Sequence, residues 1–205
     1  MRKLYSILLC ALLVGGCASQ INIKTATIYY DSAVEAEIRG DFVFAERQYD
    51  RALINARLGH SPQAGISASM YGLGRMKGYL CKFDEAEPLL LEALKLEEGV
   101  SGPEGGIITK RLFELARFYA DRGQYAQSIP YFSRGIPAVS KLGIETSDPI
   151  AFADALDEYS LALKKSGSGV EAQKFQVQAE DLRTKNTRQR ASFVPVRYGQ
   201  KCPTK

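Results

Sequence analysis

Lys82-Phe83-Asp84-Glu85-Ala86-Glu87-Pro88-Leu89-Leu90-Leu91-Glu92-Ala93-Leu94 decides the fold. Phe83, Ala86, Leu90, Ala93 and Leu94 recur at helical spacing, so they share one face. Ala86 and Ala93 are small and let a neighbouring helix come close. Pro88 is expected in the first turn, where a missing backbone donor does little harm. The layout returns 42 residues later in Gln124–Ile136, with Tyr125 over Phe83, Ser128 over Ala86, Pro130 over Pro88 and Phe132 over Leu90. Such self-similarity is the signature of a helical repeat, which places function on a surface rather than in a catalytic cleft.

Working outward, each helix pair turns at a short polar or glycine-containing step. These are Gly40-Asp41-Phe42, Cys81-Lys82-Phe83, Gly123-Gln124-Tyr125 and a weaker Gly167-Ser168-Gly169, at spacings of 41, 42 and 44 residues. The preceding helices repeat too: Tyr71 matches Phe113 and Arg75 matches Arg117 at 42, and Tyr30 lies 41 before Tyr71. Gly59-His60-Ser61-Pro62, Ser101-Gly102-Pro103-Glu104 and Thr146-Ser147-Asp148-Pro149 separate the pairs. Glycine stops one helix and proline opens the next.

Gly40-Asp41-Phe42-x-x-Ala45-x-x-x-Tyr49-x-x-Ala52-Leu53 resembles the second half of a tetratricopeptide repeat. The long period and Glu87-Pro88-Leu89 resemble the kinesin-light-chain type of that repeat. The resemblance covers residues 25–185 and weakens in the fourth unit. It implies an all-α fold, a short right-handed α-solenoid of antiparallel helix pairs in about four repeats. The polar stretch from Glu171 to Arg190 suits a solvent-facing end cap.

At the N-terminus, Arg2-Lys3 precedes an 11-residue apolar run, Leu4–Val14, and then Gly15-Gly16-Cys17. This is the layout of a secretory signal, too short to span a bilayer unaided. Val14-Gly15-Gly16-Cys17 resembles the lipobox of bacterial lipoproteins. The resemblance implies cleavage of a signal peptide 1–16, lipidation (palmitate included) of Cys17 and a membrane anchor there. Plain secretion, with Cys17 lost or free, is the alternative. Ala18 in place of Asp favours, by the same resemblance, the periplasmic face of the outer membrane. Residues 17–24 are then a lipidated linker, flexible and spanning roughly 15 Å. A basic tail, 186–205, follows the repeats.

In tetratricopeptide arrays the first helix of each pair lines the binding groove. By register this places Tyr30, Tyr71, Arg75, Phe113 and Arg117 on a partner-binding wall, since aromatic rings and arginine suit an extended peptide. The competing reading makes the aromatics inter-helix core and the arginines a solvated face. His60 reads as a helix-junction residue, because nothing is placed to orient it for catalysis. Asp84, Glu85 and Glu87 suit a helix start, and Gly72-Leu73-Gly74 reads as close helix packing. Neither metal spacing nor cofactor motif is present, and no enzyme is expected. A net charge of +4 is too weak to argue for nucleic acid. Cys81 stands where three other turns have glycine, and an oxidising compartment would permit a Cys81–Cys202 disulfide. The tail could be solvated, could touch anionic lipid or cell-wall polymer, or could dock through its less polar Ser192–Tyr198 stretch.

The functional expectation is an outer-membrane-anchored periplasmic scaffold that binds a protein or peptide, in its specific form an assembly factor for an envelope complex. The alternative is an adaptor or regulator of cell-wall enzymes that uses the basic tail.

Overall fold

The computed structural model describes residues 2–102, 105–192, 194–200 and 202, with side chains described from Ser19 onward. Cys17 lies within a helix, but its side chain, and with it the lipidation site, lies outside the described residues; so do Phe193, Lys201 and Lys205 of the tail. Among the described residues there are helices and no strand. In chain order they are α1 (Arg2–Ile38), α2 (Phe42–Leu58), α3 (Gln63–Tyr79), α4 (Phe83–Ser101), α5 (Gly106–Ala120), α6 (Tyr125–Lys141), α7 (Ile144–Ser147), α8 (Pro149–Lys165) and α9 (Gly169–Lys185). They fall into two compact units, Met1–Leu96 and Glu97–Lys205.

The repeat shows most clearly in the backbone of its turns. Gly40, Cys81, Gly123 and Gly167 all have positive φ, at 76°, 65°, 75° and 90°. Each turn closes with the same six-residue hydrogen bond at 2.9 Å: Asp41 N–H to Ala36 O, Lys82 to Lys77, Gln124 to Tyr119 and Ser168 to Leu163. This is the cap that satisfies the orphan carbonyls at a helix end, and it needs a left-handed residue. Glycine takes that conformation freely; Cys81 does so at a cost of about 1 kcal/mol. His60 repeats the device between pairs, with φ 52° and the Ser61 N–H on Ala56 O at 2.9 Å. His60 therefore serves a helix junction.

In the first unit α1 packs on α2 and α2 on α3. Ala86, Leu90, Ala93 and Leu94 of α4 are buried, as the spacing predicts, and Phe83 is half-buried. The buried Ser67 hydroxyl donates to Ala93 O at 2.9 Å, tying α3 to α4. Pro88 departs from expectation. It lies five residues into α4, past the first turn, as Pro130 does in α6. Both prolines are exposed, and so are Asp84 and Ala126, whose carbonyls lose their helical donor. Water can satisfy those carbonyls, which is why the helix continues.

The linker also differs from expectation. Residues 17–24 are part of α1. Ser19 Oγ donates to Gly59 O at 2.6 Å. A Cβ on Gly59 would fall under 3.0 Å from Ile23 Cγ1, so the glycine lets α1 lie against the α2–α3 turn. Ser19, Ile23, Ala26, Tyr30, Ala33 and Glu37 step along one face at three- or four-residue intervals. The amphipathic pattern thus begins before Lys24.

In the second unit α5 packs on α6, α6 on α8 and α8 on α9. Its core holds Phe113, Phe132, Phe152, Leu156 and Tyr159, with Ala172, Ala179 and Leu182 supplied by α9. The remainder of α9 is mostly exposed, as an end cap requires. Asp148 caps α8 by accepting the Ala151 N–H at 3.1 Å, with Pro149 at the first helical position.

Candidate functional site

Three of the five groove residues meet in the first unit. The Arg75 guanidinium lies over the Tyr71 ring at 5.4 Å and the Tyr79 ring at 5.5 Å. It pairs with Glu37 of α1 at 2.6 Å. Glu37 also accepts the Tyr49 hydroxyl at 2.9 Å, and the Tyr49 ring meets Tyr30 edge-on at 5.6 Å. Tyr30, Tyr71 and Arg75 thus belong to one aromatic and ionic cluster across α1, α2 and α3. Burial pushes the Tyr49 phenol far above its ordinary range, and the Glu37 carboxylate adds to the rise. Tyr49 therefore stays a hydrogen-bond donor at any physiological pH. Arg75 is positioned for cation–π and bidentate contacts, but its charge is already balanced from within. Tyr71 is half-buried.

The other two residues lie in the second unit and separate in role. Phe113 is buried, with its ring edge-on to Phe132 at 6.0 Å. It belongs to the core of the second unit. Arg117 lies over Phe113 at 5.5 Å and donates from Nε to Glu158 of α8 at 2.8 Å.

The tail returns to this same α5–α8 face. Arg197 makes ion pairs with both Asp121 and Glu158. Tyr198 donates its backbone N–H to Asp121 at 2.8 Å and its hydroxyl to Glu114, and its ring meets Phe118 edge-on at 5.2 Å. Tyr198 is only 3% exposed. Ser192 donates its N–H to Asp148 at 3.0 Å. Burial pushes the Asp121 carboxyl up, opposed by the Tyr198 N–H and the Arg197 guanidinium. A pocket of about 250 Å³ remains beside Arg197, lined by Arg117, Asp121, Tyr125, Glu158 and Leu161 among others. Just before the tail, Arg183 of α9 bridges Asp154 and Asp157 of α8 at 2.6 Å each, and Lys185 pairs with Asp181 within α9. Of the docked tail, sequence reasoning signalled only low polarity. Glu114, Asp121 and Glu158 carried no local signal as its partners.

Among the described residues no group of His, Cys, Asp and Glu could hold a metal ion. No described helix is long and apolar enough to cross a membrane. Cys81 and Cys202 are each disulfide-bonded.

The fold is a tetratricopeptide-like array of helix pairs, and solved structures show the likeness. One is the crystal structure of BtubC (BKLC) from P. vanneervenii, with a TM-score of 0.71 at 18% identity, covering 88% of this chain and 70% of that one. Another is the Podosopora anserina putative kinesin light chain with nearly identical TPR-like repeats, with a TM-score of 0.62 at 18% identity, covering 80% of this chain and 77% of that one. A third is aspartyl phosphate phosphatase F from Bacillus subtilis, with a TM-score of 0.66 at 15% identity, covering 82% of this chain and 42% of that one. No protein-family model and no curated protein matches the chain.

Proposed function

We propose that the protein is a non-catalytic scaffold that binds a protein segment on its helix-pair surface, held by a lipid on Cys17 at the periplasmic face of the outer membrane. The observation that carries the scaffold role is the fourfold turn. The same cap hydrogen bond recurs at Gly40, Cys81, Gly123 and Gly167, so the chain is built to stack helix pairs and extend surface. The anchor rests on the Arg2–Cys17 pattern. With α1 helical through residues 17–24, cleavage before Cys17 would leave the lipid-bearing residue directly continuous with that helix. Assembly of an envelope complex is the specific form of this role.

Two measurements test it. Cys17→Ser should move the protein from the membrane fraction to the soluble periplasm; retention in the membrane refutes the anchor. Tyr71→Ala, with unchanged helical circular dichroism, should lose the protein captured by the wild type; equal capture refutes binding on α3.

A further inference from the structure

We infer that the α5–α8 face is a recognition site for an extended protein segment carrying an arginine followed by an aromatic residue, and that the chain's own Arg197-Tyr198 occupies it as a displaceable strap. The inference rests on the proposed scaffold role and names the chemistry of the partner.

The face is built for that chemistry. Asp121 and Glu158 supply two carboxylates to one guanidinium, an arrangement that matches the fork of arginine and not a lysine point charge. One residue on, Glu114 takes the tyrosine hydroxyl while Phe118 takes the ring edge. Asp121 also accepts the tyrosine backbone N–H, which fixes the direction of the bound segment.

The occupant is tethered beyond Tyr198, where Cys202 is disulfide-bonded, so displacement means lifting Arg197-Tyr198 and not releasing the tail. Residues 194–197 have neither helix nor strand, so no backbone ladder fastens them. Val194 is 78% exposed and Val196 is also exposed, so among the described residues these two side chains add little to the hold of Ser192, Arg197 and Tyr198. The 250 Å³ pocket beside Arg197 leaves the site larger than its occupant. A tethered segment competes at an effective concentration in the millimolar range, so a partner must bind more tightly or offer more contacts. The pocket gives room for those contacts.

The test uses the full chain and a synthetic peptide of residues 190–200, Arg190 to Gln200. Peptide binding is measured by fluorescence anisotropy to the wild type, to Arg197→Ala/Tyr198→Ala and to Arg197→Ala/Tyr198→Ala/Asp121→Asn/Glu158→Gln. Opening the strap should tighten binding at least about 10-fold, and neutralising the two carboxylates should remove the gain. Equal binding by the wild type and the opened chain makes the tail a fixed structural element and overturns the inference. A second measurement does not depend on the variants folding. Hydrogen exchange over 194–200 in the wild type should quicken with excess peptide, and unchanged exchange overturns displacement. Failure here would leave crosslinks from α3 to a cellular protein in place, whereas failure of the scaffold role would remove those crosslinks.

Discussion

Arg111 of α5 and Glu97 near the end of α4 form an ion pair 2.8 Å long, with side chains only 4% and 3% exposed. Ser101 donates to the other Glu97 oxygen at 2.8 Å. The pair holds α5 to the last turns of α4 within the second unit. Removing one partner strands a buried charge, so Glu97→Ala should cost about 3–5 kcal/mol. Replacing both by apolar residues, as in Glu97→Leu/Arg111→Met, should recover most of that loss. Urea unfolding of the three chains measures both effects; a Glu97→Ala loss below about 1 kcal/mol would contradict the pair's role.

Gly72 is where the first unit admits no side chain. A Cβ there would fall under 3.0 Å from three atoms of the Tyr49 ring, whereas a Cβ on Gly99 meets nothing within 4 Å. Gly72→Ala should destabilise by about 1–3 kcal/mol through overpacking. Gly99→Ala, on the exposed side of α4, should stabilise by about 0.5–1 kcal/mol by restricting the unfolded chain. Opposite shifts in the urea midpoint are expected, and a neutral Gly72→Ala would remove the close-approach account.

Arg197 should matter in a pH-dependent way. Because the Asp121 carboxyl is raised in the folded state, ionising it costs stability as pH climbs from the ordinary carboxylate range through the raised one. Arg197 offsets that cost only when Asp121 and Glu158 are charged. Arg197→Ala should therefore lose most stability near neutral pH and converge on the wild type as the carboxylates protonate. With Arg197 34% exposed, about 1 kcal/mol at neutral pH is expected. Thermal unfolding from acid to neutral pH checks it; a gap that widens toward acid would contradict it.

Cys81 carries positive φ where the other pair turns have glycine, so something other than backbone ease accounts for a thiol there. We propose that it pairs with Cys202. Non-reducing peptide mapping of the mature protein should find the linked pair, and two free thiols would refute it. Under reducing conditions, Cys81→Gly should be more stable than the reduced wild type by about 1 kcal/mol, since only the backbone cost remains.

Much of the architecture could be read from single residues, because each turn is a local event. A left-handed cap needs glycine or a tolerated substitute, so Gly40, Cys81, Gly123 and Gly167 marked the helix pairs and their period. Gly72 was legible as close packing for a different reason: a glycine inside a helical run leaves room for a neighbour, here the Tyr49 ring. The start of α1 was not. Ser19, the first of its residues with a described side chain, reaches Gly59, 40 residues on. Helical register put Phe113 and Tyr71 at equivalent positions, but register names a face and not its neighbour. Phe132 packs edge-on to Phe113, while Tyr71 lies under Arg75. The strap depends on Tyr198 reaching Asp121 across 77 positions, which no local pattern encodes.

The central claim is that the helix-pair surface binds a protein. Ala64 and Ala68 lie on the face of α3 that carries Tyr71 and Arg75, while Ile54 is exposed on α2. A photo-crosslinking side chain at each position, activated in intact cells, measures contact directly. The account predicts a discrete protein adduct from positions 64 and 68 and none from 54. Adducts of equal yield from all three positions, or from none, would contradict it.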